Sequence, residues 1–154
     1  DSIGEMALAR RVWRLAIIYY PGYALPHLKL GELYLSEERK EEAAREFEEA
    51  LRLDPRFAQA HANLASIYAE RGELERAIVH YKTALDIDPN LASAHKGMGI
   101  IYLTHLQDLN GAVFHLRRSL ELDPEQDGWY TLKQFLDKPG LSPESIPFHT
   151  FSGG

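Results

Sequence analysis

The stretch LRLDPRFAQAH at residues 51–61 is repeated as LDIDPNLASAH at residues 85–95. The two copies lie 34 residues apart, and a shorter third copy, LELDP at residues 120–124, follows after 35. A similarity that returns at a fixed period of this size is typical of proteins built from stacked repeats. The period therefore indicates a chain built from stacked repeats.

Eight positions recur in register around each Asp-Pro pair. They are His27, Leu30, Gly31, Tyr34, Ala43, Phe47, Ala50 and Pro55, then His61, Leu64, Ala65, Tyr68, Ala77, Tyr81, Ala84 and Pro89, then His95, Met98, Gly99, Tyr102, Ala112, Leu116, Ser119 and Pro124. One extra residue falls between Tyr102 and Ala112, where a turn can absorb it. Over residues 24–125 this pattern resembles the tetratricopeptide repeat, a pair of helices joined by a turn.

The resemblance implies an all-α fold, a right-handed solenoid of about eight helices. It places a single solenoid over residues 1–137, with a half repeat at 4–23 and full repeats at 24–57, 58–91 and 92–125. A terminal half-repeat helix at 127–137 corresponds to the first of the two helices of a repeat. The half repeat rests on Ala9, Trp13, Ala16 and Pro21, which have the spacing of a second helix in the same phase. Residues 138–154 are expected to form an extended C-terminal tail.

The recurring large residues are expected to form the core, because each faces a neighbouring helix in every copy. This set is Leu30, Tyr34, Phe47, Leu64, Tyr68, Tyr81, Tyr102 and Leu116. The recurring small residues are expected where two helices approach closely. This second set is Gly31, Ala50, Ala65, Ala84 and Gly99.

Composition excludes several classes of function. The net charge of −6 argues against a nucleic-acid surface, which would carry a basic patch. The longest apolar run is too short to cross a bilayer. The chain has no cysteine, so disulfides and thiol catalysis are excluded. We expect a soluble protein, cytoplasmic or exported, because Asp1 is compatible both with a removed signal peptide and with a fragment.

The sequence contains no pattern typical of an enzyme, and we expect no catalytic, metal or cofactor site. It has no glycine-rich phosphate loop, no G-x-S-x-G and no H-E-x-x-H. His27, His61 and His95 share one repeat position, where the family usually has a bulky residue. Equivalent positions on stacked helices lie too far apart for one metal ion. We interpret these histidines as half-buried packing residues, with a pH-sensitive role in stacking as the alternative.

The resemblance also implies a function, the binding of a protein or peptide partner in a concave groove lined by the first helices. The groove residues would be Leu25, Leu28, Lys29, Glu32, Gln59, Asn63, Ser66, Ser93, Lys96 and Ile100. Family members that hold a C-terminal carboxylate use a cluster of Lys, Asn and Arg. Leu28 and Glu32 depart from that cluster, so the groove favours a mixed or apolar segment.

The alternative is a structural subunit that assembles head to tail into a filament or ring, since the two half repeats are complementary. Residues 1–20 have a net charge of +1 and residues 121–138 a net charge of −3. The predicted contact residues are Trp13, Ile17, Tyr20, Trp129, Leu132, Leu136, Phe148 and Phe151. The sequence names neither the partner nor the assembly.

Overall fold

The structure is a computed structural model, and it describes residues 2–124. These residues form seven α-helices and contain no strand. The helices are α1 (Ser2–Tyr19), α2 (Leu25–Ser36), α3 (Lys40–Leu53), α4 (Ala58–Glu70), α5 (Leu74–Ile87), α6 (Ala92–Thr104) and α7 (Leu109–Leu122). The eighth predicted helix, at 127–137, and the tail at 138–154 lie outside the described residues.

The helices stack as consecutive pairs, which confirms the all-α solenoid. Within a repeat, α2 packs on α3, α4 on α5 and α6 on α7. Between repeats, α3 contacts α4, α5 contacts α6, and the two first helices α4 and α6 also touch. Helix α1 packs on α2. Each unit therefore rests mainly on its neighbours, as expected when stability comes from repeat interfaces.

The turn inside each repeat contains one residue with a positive φ at the same repeat position. These residues are Glu38 at 60°, Gly72 at 78° and Gln107 at 51°. Glycine adopts this left-handed conformation without strain, whereas a residue with a Cβ does not. The extra residue of the third repeat precedes Gln107, so the turn absorbs the insertion and both flanking helices keep their packing faces.

The core is formed by the predicted large residues, and the small residues lie at the predicted close contacts. Ala50, Ala65 and Ala84 are fully buried. A Cβ added at Gly31 would collide with the Phe47 ring, and one added at Gly99 would collide with the Leu116 side chain. The repeat therefore needs a residue of minimal size wherever the large side chain of the second helix crosses the first helix.

Tyr102 is the exception, because the structure leaves it half-buried whereas Tyr34 and Tyr68 are buried. The guanidinium of Arg76 covers the ring of Tyr68, 4.0 Å from the ring centroid. The equivalent position in the third repeat is Gly111, which has no side chain to cover Tyr102. Tyr102 therefore lacks the guanidinium that covers Tyr68.

Candidate functional site

The predicted groove residues occupy one stripe on each first helix. Residues three or four apart share a helix face, and this spacing relates Leu25, Lys29 and Glu32 on α2. The same spacing relates Gln59, Asn63 and Ser66 on α4, and Ser93, Lys96 and Ile100 on α6. All of these side chains are half-buried or exposed. Because α4 contacts α6, their two stripes are neighbours.

Leu28 does not belong to this surface. Only 4% of it is exposed, and it lies within the hydrophobic core. The equivalent residue of the second repeat, Ala62, is buried as well. The third repeat has Lys96 at this position, and Lys96 is half-buried and stays in the stripe. The assignment of Leu28 to the groove is wrong, because its side chain is buried in the core.

On α2 and α4, the charged and amide side chains of the stripe bond to each other. Lys29 Nζ donates to Glu32 Oε2 at 2.9 Å, so the α2 end of the stripe carries a neutralised ion pair. On α4, Gln59 Nε2 donates to Asn63 Oδ1 at 2.8 Å. Burial raises the pKa of Tyr81 on α5 to about 12, against the opposing effect of the neighbouring Ser66. The middle of the stripe is thus neutral and polar, and Ile100, 45% exposed, gives the α6 end apolar surface.

Helix α1 has a second notable surface, an apolar face that no described helix covers. Ile3, Leu8, Val12, Leu15 and Ile18 are each at least half exposed. Tyr19 and Tyr20 are exposed as well. Contiguous apolar surface of this kind is uncommon on a monomeric protein and marks a site of interaction.

The other second helices are polar at the same positions. In place of Leu8, Val12, Leu15 and Ile18, the chain has Glu42, Glu46, Glu49 and Arg52 on α3, Arg76, His80, Thr83 and Asp86 on α5, and Gly111, His115, Arg118 and Glu121 on α7. The apolar face is therefore a property of α1 alone among the four helices of this type that the structure describes.

Two of the end residues predicted for self-assembly lie on the opposite face of α1. Trp13 and Ile17 are partly buried and pack against the core of the first full repeat. Tyr20, just after the helix, is 68% exposed. The remaining predicted contact residues, Trp129, Leu132, Leu136, Phe148 and Phe151, lie outside the described residues.

The histidines form pairs within repeats, a feature that the sequence analysis missed. His61 on α4 lies beside His80 on α5, with 3.0 Å between their Nδ1 atoms. His95 on α6 and His115 on α7 have the same geometry, again with 3.0 Å between the Nδ1 atoms. In both pairs the ring centroids are 5.2 Å apart, so the two nitrogens lie between the rings and face each other.

The hydrogen bonds of the first-helix histidines determine their tautomers. His61 Nε2 lies 2.9 Å from the carbonyl oxygen of Pro55, and His95 Nε2 lies 2.9 Å from that of Pro89. A carbonyl oxygen can only accept a hydrogen bond, so Nε2 carries the proton. In the neutral ring Nδ1 is then the acceptor. The partner histidine, His80 or His115, must donate from its own Nδ1.

Burial disfavours a positive charge on these rings. It lowers the pKa of His80, with further lowering by the neighbouring His61 and Arg76 and an opposing effect of Glu48. Burial also lowers the pKa of His95, against the opposing effect of its bond to Pro89. Burial and the neighbouring His95 lower the pKa of His115 to about 4.

The first repeat has a different pair at this place. His27 Nδ1 donates to Glu46 Oε2 at 2.7 Å. Glu46, His80 and His115 occupy equivalent positions on α3, α5 and α7. The signal was present in the sequence, because His61 and His80 are separated by 19 residues, as are His27 and Glu46. This signal lies between the two helices of one repeat, whereas the repeat register relates histidines of different repeats.

The two histidines of each pair face each other without a third metal-ligating side chain beside them among the described residues. Residues 2–124 contain no cluster of three or more His, Asp or Glu side chains arranged to hold an ion. With the two Nδ1 atoms facing each other, the arrangement is that of a shared hydrogen bond.

None of the described helices is long and apolar enough to cross a membrane.

Stacked helix pairs with a small residue at every close crossing define the class of the protein, an α-solenoid of helical repeats. Residues 28–92 match the family described as Tetratricopeptide repeat, which confirms the predicted resemblance over that part of the chain.

Solved structures share the fold. One, titled "Crystal structure of MamA", is 22% identical with a TM-score of 0.64, and the match covers 80% of this chain and 72% of that chain. A second, titled "Crystal structure of MamA protein", is also 22% identical with a TM-score of 0.62, covering 92% of this chain and 73% of that chain. No curated protein matches the sequence. The fold and the family together indicate a protein-interaction scaffold.

Proposed function

We propose that this scaffold binds a peptide or an extended segment of a partner protein along the stripe of α2, α4 and α6, without catalysing a reaction. The observation that carries the proposal is the neutral polar centre of the stripe, with Gln59 and Asn63 hydrogen-bonded side by side on α4. Side-chain amides of this kind can donate to and accept from the backbone of an extended peptide.

The ends of the stripe define the chemistry of the segment. The carboxylate of Glu32 already neutralises Lys29, so the α2 end does not favour a terminal carboxylate. Leu25 on α2 and Ile100 on α6 offer apolar surface at the two ends. A segment with apolar side chains at its ends and neutral polar groups between them fits this arrangement better than an acidic tail.

A phage-displayed library of random peptides tests this proposal. Enriched peptides should bind the chain saturably in calorimetry, and Asn63→Ala should weaken binding by tenfold or more, on the order of 1.4 kcal/mol. The matched control is Arg52→Ala on the outer surface of α3, which should leave affinity unchanged. Failure of the library to enrich any sequence, or equal binding by the Asn63 variant, would refute the proposed groove.

The apolar face of α1 supports a second candidate function, self-assembly by head-to-tail contact. In each described repeat a first helix covers the corresponding second helix, so the helix that suits α1 is of the first-helix type. The sequence predicts such a helix at 127–137, and residues 121–138 carry a net charge of −3 against +1 for residues 1–20. We propose that this segment of one copy covers α1 of the next.

Sedimentation velocity over a range of protein concentrations distinguishes the two functions. Self-assembly predicts large species that Leu15→Asp and Trp129→Asp each abolish, because a charge on either side is costly to bury. Mixing the two variants should give dimers and nothing longer, since only one intact contact remains. The control Thr83→Asp changes the position on α5 equivalent to Leu15. A chain that remains monomeric at high concentration would exclude this function and leave the groove proposal intact.

A further inference from the structure

We propose that the His61–His80 and His95–His115 pairs make the second and third helix pairs of the solenoid sensitive to acid, while the His27–Glu46 pair leaves the first insensitive. This goes beyond partner binding, because it concerns the packing of the free protein.

The number of protons that a pair can hold is the basis of the inference. His61 Nε2–H donates to Pro55, and one further proton must lie between the two Nδ1 atoms. A third proton can be accepted on Nε2 of His80 while the shared bond remains. A fourth would place two N–H groups against each other at a separation of 3.0 Å, which removes the bond and adds a repulsion between two cations. The His95–His115 pair follows the same count.

The groups around the His61–His80 pair come from three helices. Arg76 on α5 opposes a positive charge on His80, and Glu48 on α3 favours one. The ring of Tyr68 on α4 lies beside His80, with 5.5 Å between centroids. The pair is therefore held between an opposing cation and a favouring carboxylate.

The His95–His115 pair lies in a less favourable environment for charge. Arg118 on α7 opposes a positive charge on His95. Tyr102 on α6 stacks on the His115 ring at an interplanar angle of 11°, and Phe114 on α7 packs against it edge-on. Protonation here adds charge between aromatic rings and near an arginine, so the third helix pair should be the first to loosen.

The first repeat has no pair of imidazoles at this place. A protonated His27 forms an ion pair with Glu46, whose oxygen is already 2.7 Å from Nδ1. The contact joins an imidazole to a carboxylate, so it contains no two cations that could repel each other. The first repeat thus serves as an internal comparison for the other two. At the second-helix position of the pair it has a carboxylate, Glu46, where they have the imidazoles of His80 and His115.

Urea unfolding of the full chain, followed by circular dichroism, tests the proposal. Between about pH 7.5 and about pH 5 the midpoint of the parent chain should shift to lower urea concentration. In the double variant His80→Asn/His115→Asn, each asparagine amide can still donate a hydrogen bond from the place of Nδ1 but does not titrate. The shift of its urea midpoint should therefore be much smaller. His105→Asn, at the exposed end of α6, should keep the full shift of the parent chain.

A second variant keeps the test decisive if the asparagine substitutions fold poorly. His80→Glu/His115→Glu copies the first repeat and should shift the midpoint upwards relative to the parent chain at about pH 5. Hydrogen exchange, corrected for intrinsic rates, should show acid-induced loss of protection in α4 to α7 and not in α2 and α3. An equal shift of the midpoint in the parent chain and in both variants, or uniform loss of protection, would overturn the proposal. Neither measurement involves a partner, so its outcome is independent of the groove.

Discussion

The Nδ1 atoms of His95 and His115 lie 3.0 Å apart, so the two residues share one proton across the interface between α6 and α7. Burial and the neighbouring His95 lower the pKa of His115 to about 4, below its ordinary value of 6.5. As the pH falls, the unfolded chain therefore takes up this proton before the folded chain does.

The lowered pKa of His115 determines the direction in which the free energy of unfolding changes with pH. The contribution of His115 to the free energy of unfolding is fully present above pH 6.5, decreases as the pH falls towards about 4, and changes little below that. The ring resonances of His115 in an NMR titration should accordingly move only near the lower end of this range. A midpoint near 6.5 would contradict the burial of the ring.

Gly31→Ala should lower the free energy of unfolding by roughly 1–3 kcal/mol, the usual cost of overpacking a core. The added methyl group would collide with the Phe47 ring, which is fully buried and has no room to move. Gly4→Ala is the matched control, because nothing lies within 4 Å of a Cβ at Gly4 on α1. That variant should be neutral or more stable by up to about 1 kcal/mol. Thermal melts of the two proteins measure the difference directly.

Glu38→Gly should stabilise the protein by roughly 1 kcal/mol, because Glu38 has a φ of 60° that favours glycine. The contact it gives up, with Lys40 at 3.8 Å, is exposed and contributes little. Gly72→Ala, the reverse change at the equivalent turn, should destabilise. Equal urea midpoints for all three proteins would show that these turns are not strained.

Tyr81→Phe should cost about 0.5–1.5 kcal/mol, the usual net contribution of one hydrogen bond. Burial raises the pKa of Tyr81 to about 12 against the opposing effect of the neighbouring Ser66, and we expect the two hydroxyls to share a hydrogen bond. Ser66→Ala should cost a similar amount, and the double variant little more than either, because both remove the same bond. Full additivity of the two effects would contradict the contact.

Adding EDTA should leave the melting temperature unchanged. The described repeats stack on buried apolar side chains, and residues 2–124 hold no cluster of three metal-ligating side chains. A melting temperature that falls with the chelator and recovers when a metal ion is returned would identify an ion in the fold.

The architecture could be predicted from the sequence because the repeat gives several independent measurements of one pattern. The repeat expected at 24–57 contains the two helices Leu25–Ser36 and Lys40–Leu53. A single copy would have left the helix ends uncertain, but three copies in register fix the turns between them. The same register located the close contacts at Gly31 and Gly99.

The groove residues could be predicted only in part. The position of a residue in the repeat does not determine whether a neighbouring helix covers its side chain. Leu28 has groove spacing yet is buried, and Tyr102 has core spacing yet is half-buried. The histidine pairs depend on contacts between helices, which repeat spacing indicates only when the two helices of a repeat are compared. The exposed face of α1 follows from the absence, among the described helices, of a first helix packed over it.

Because the junctions between repeats are alike, evolution or design can change the length of this chain by one whole repeat at a time. Phe57 and Leu91 precede α4 and α6 in the same way, and each first helix begins at the alanine that follows. An in-frame deletion of residues 58–91 would join Phe57 to Ala92 and recreate a junction that the protein already contains. A duplication of the same segment would insert another interchangeable unit. Recombination between the nearly identical joints of such a gene would produce longer and shorter descendants that retain a continuous core.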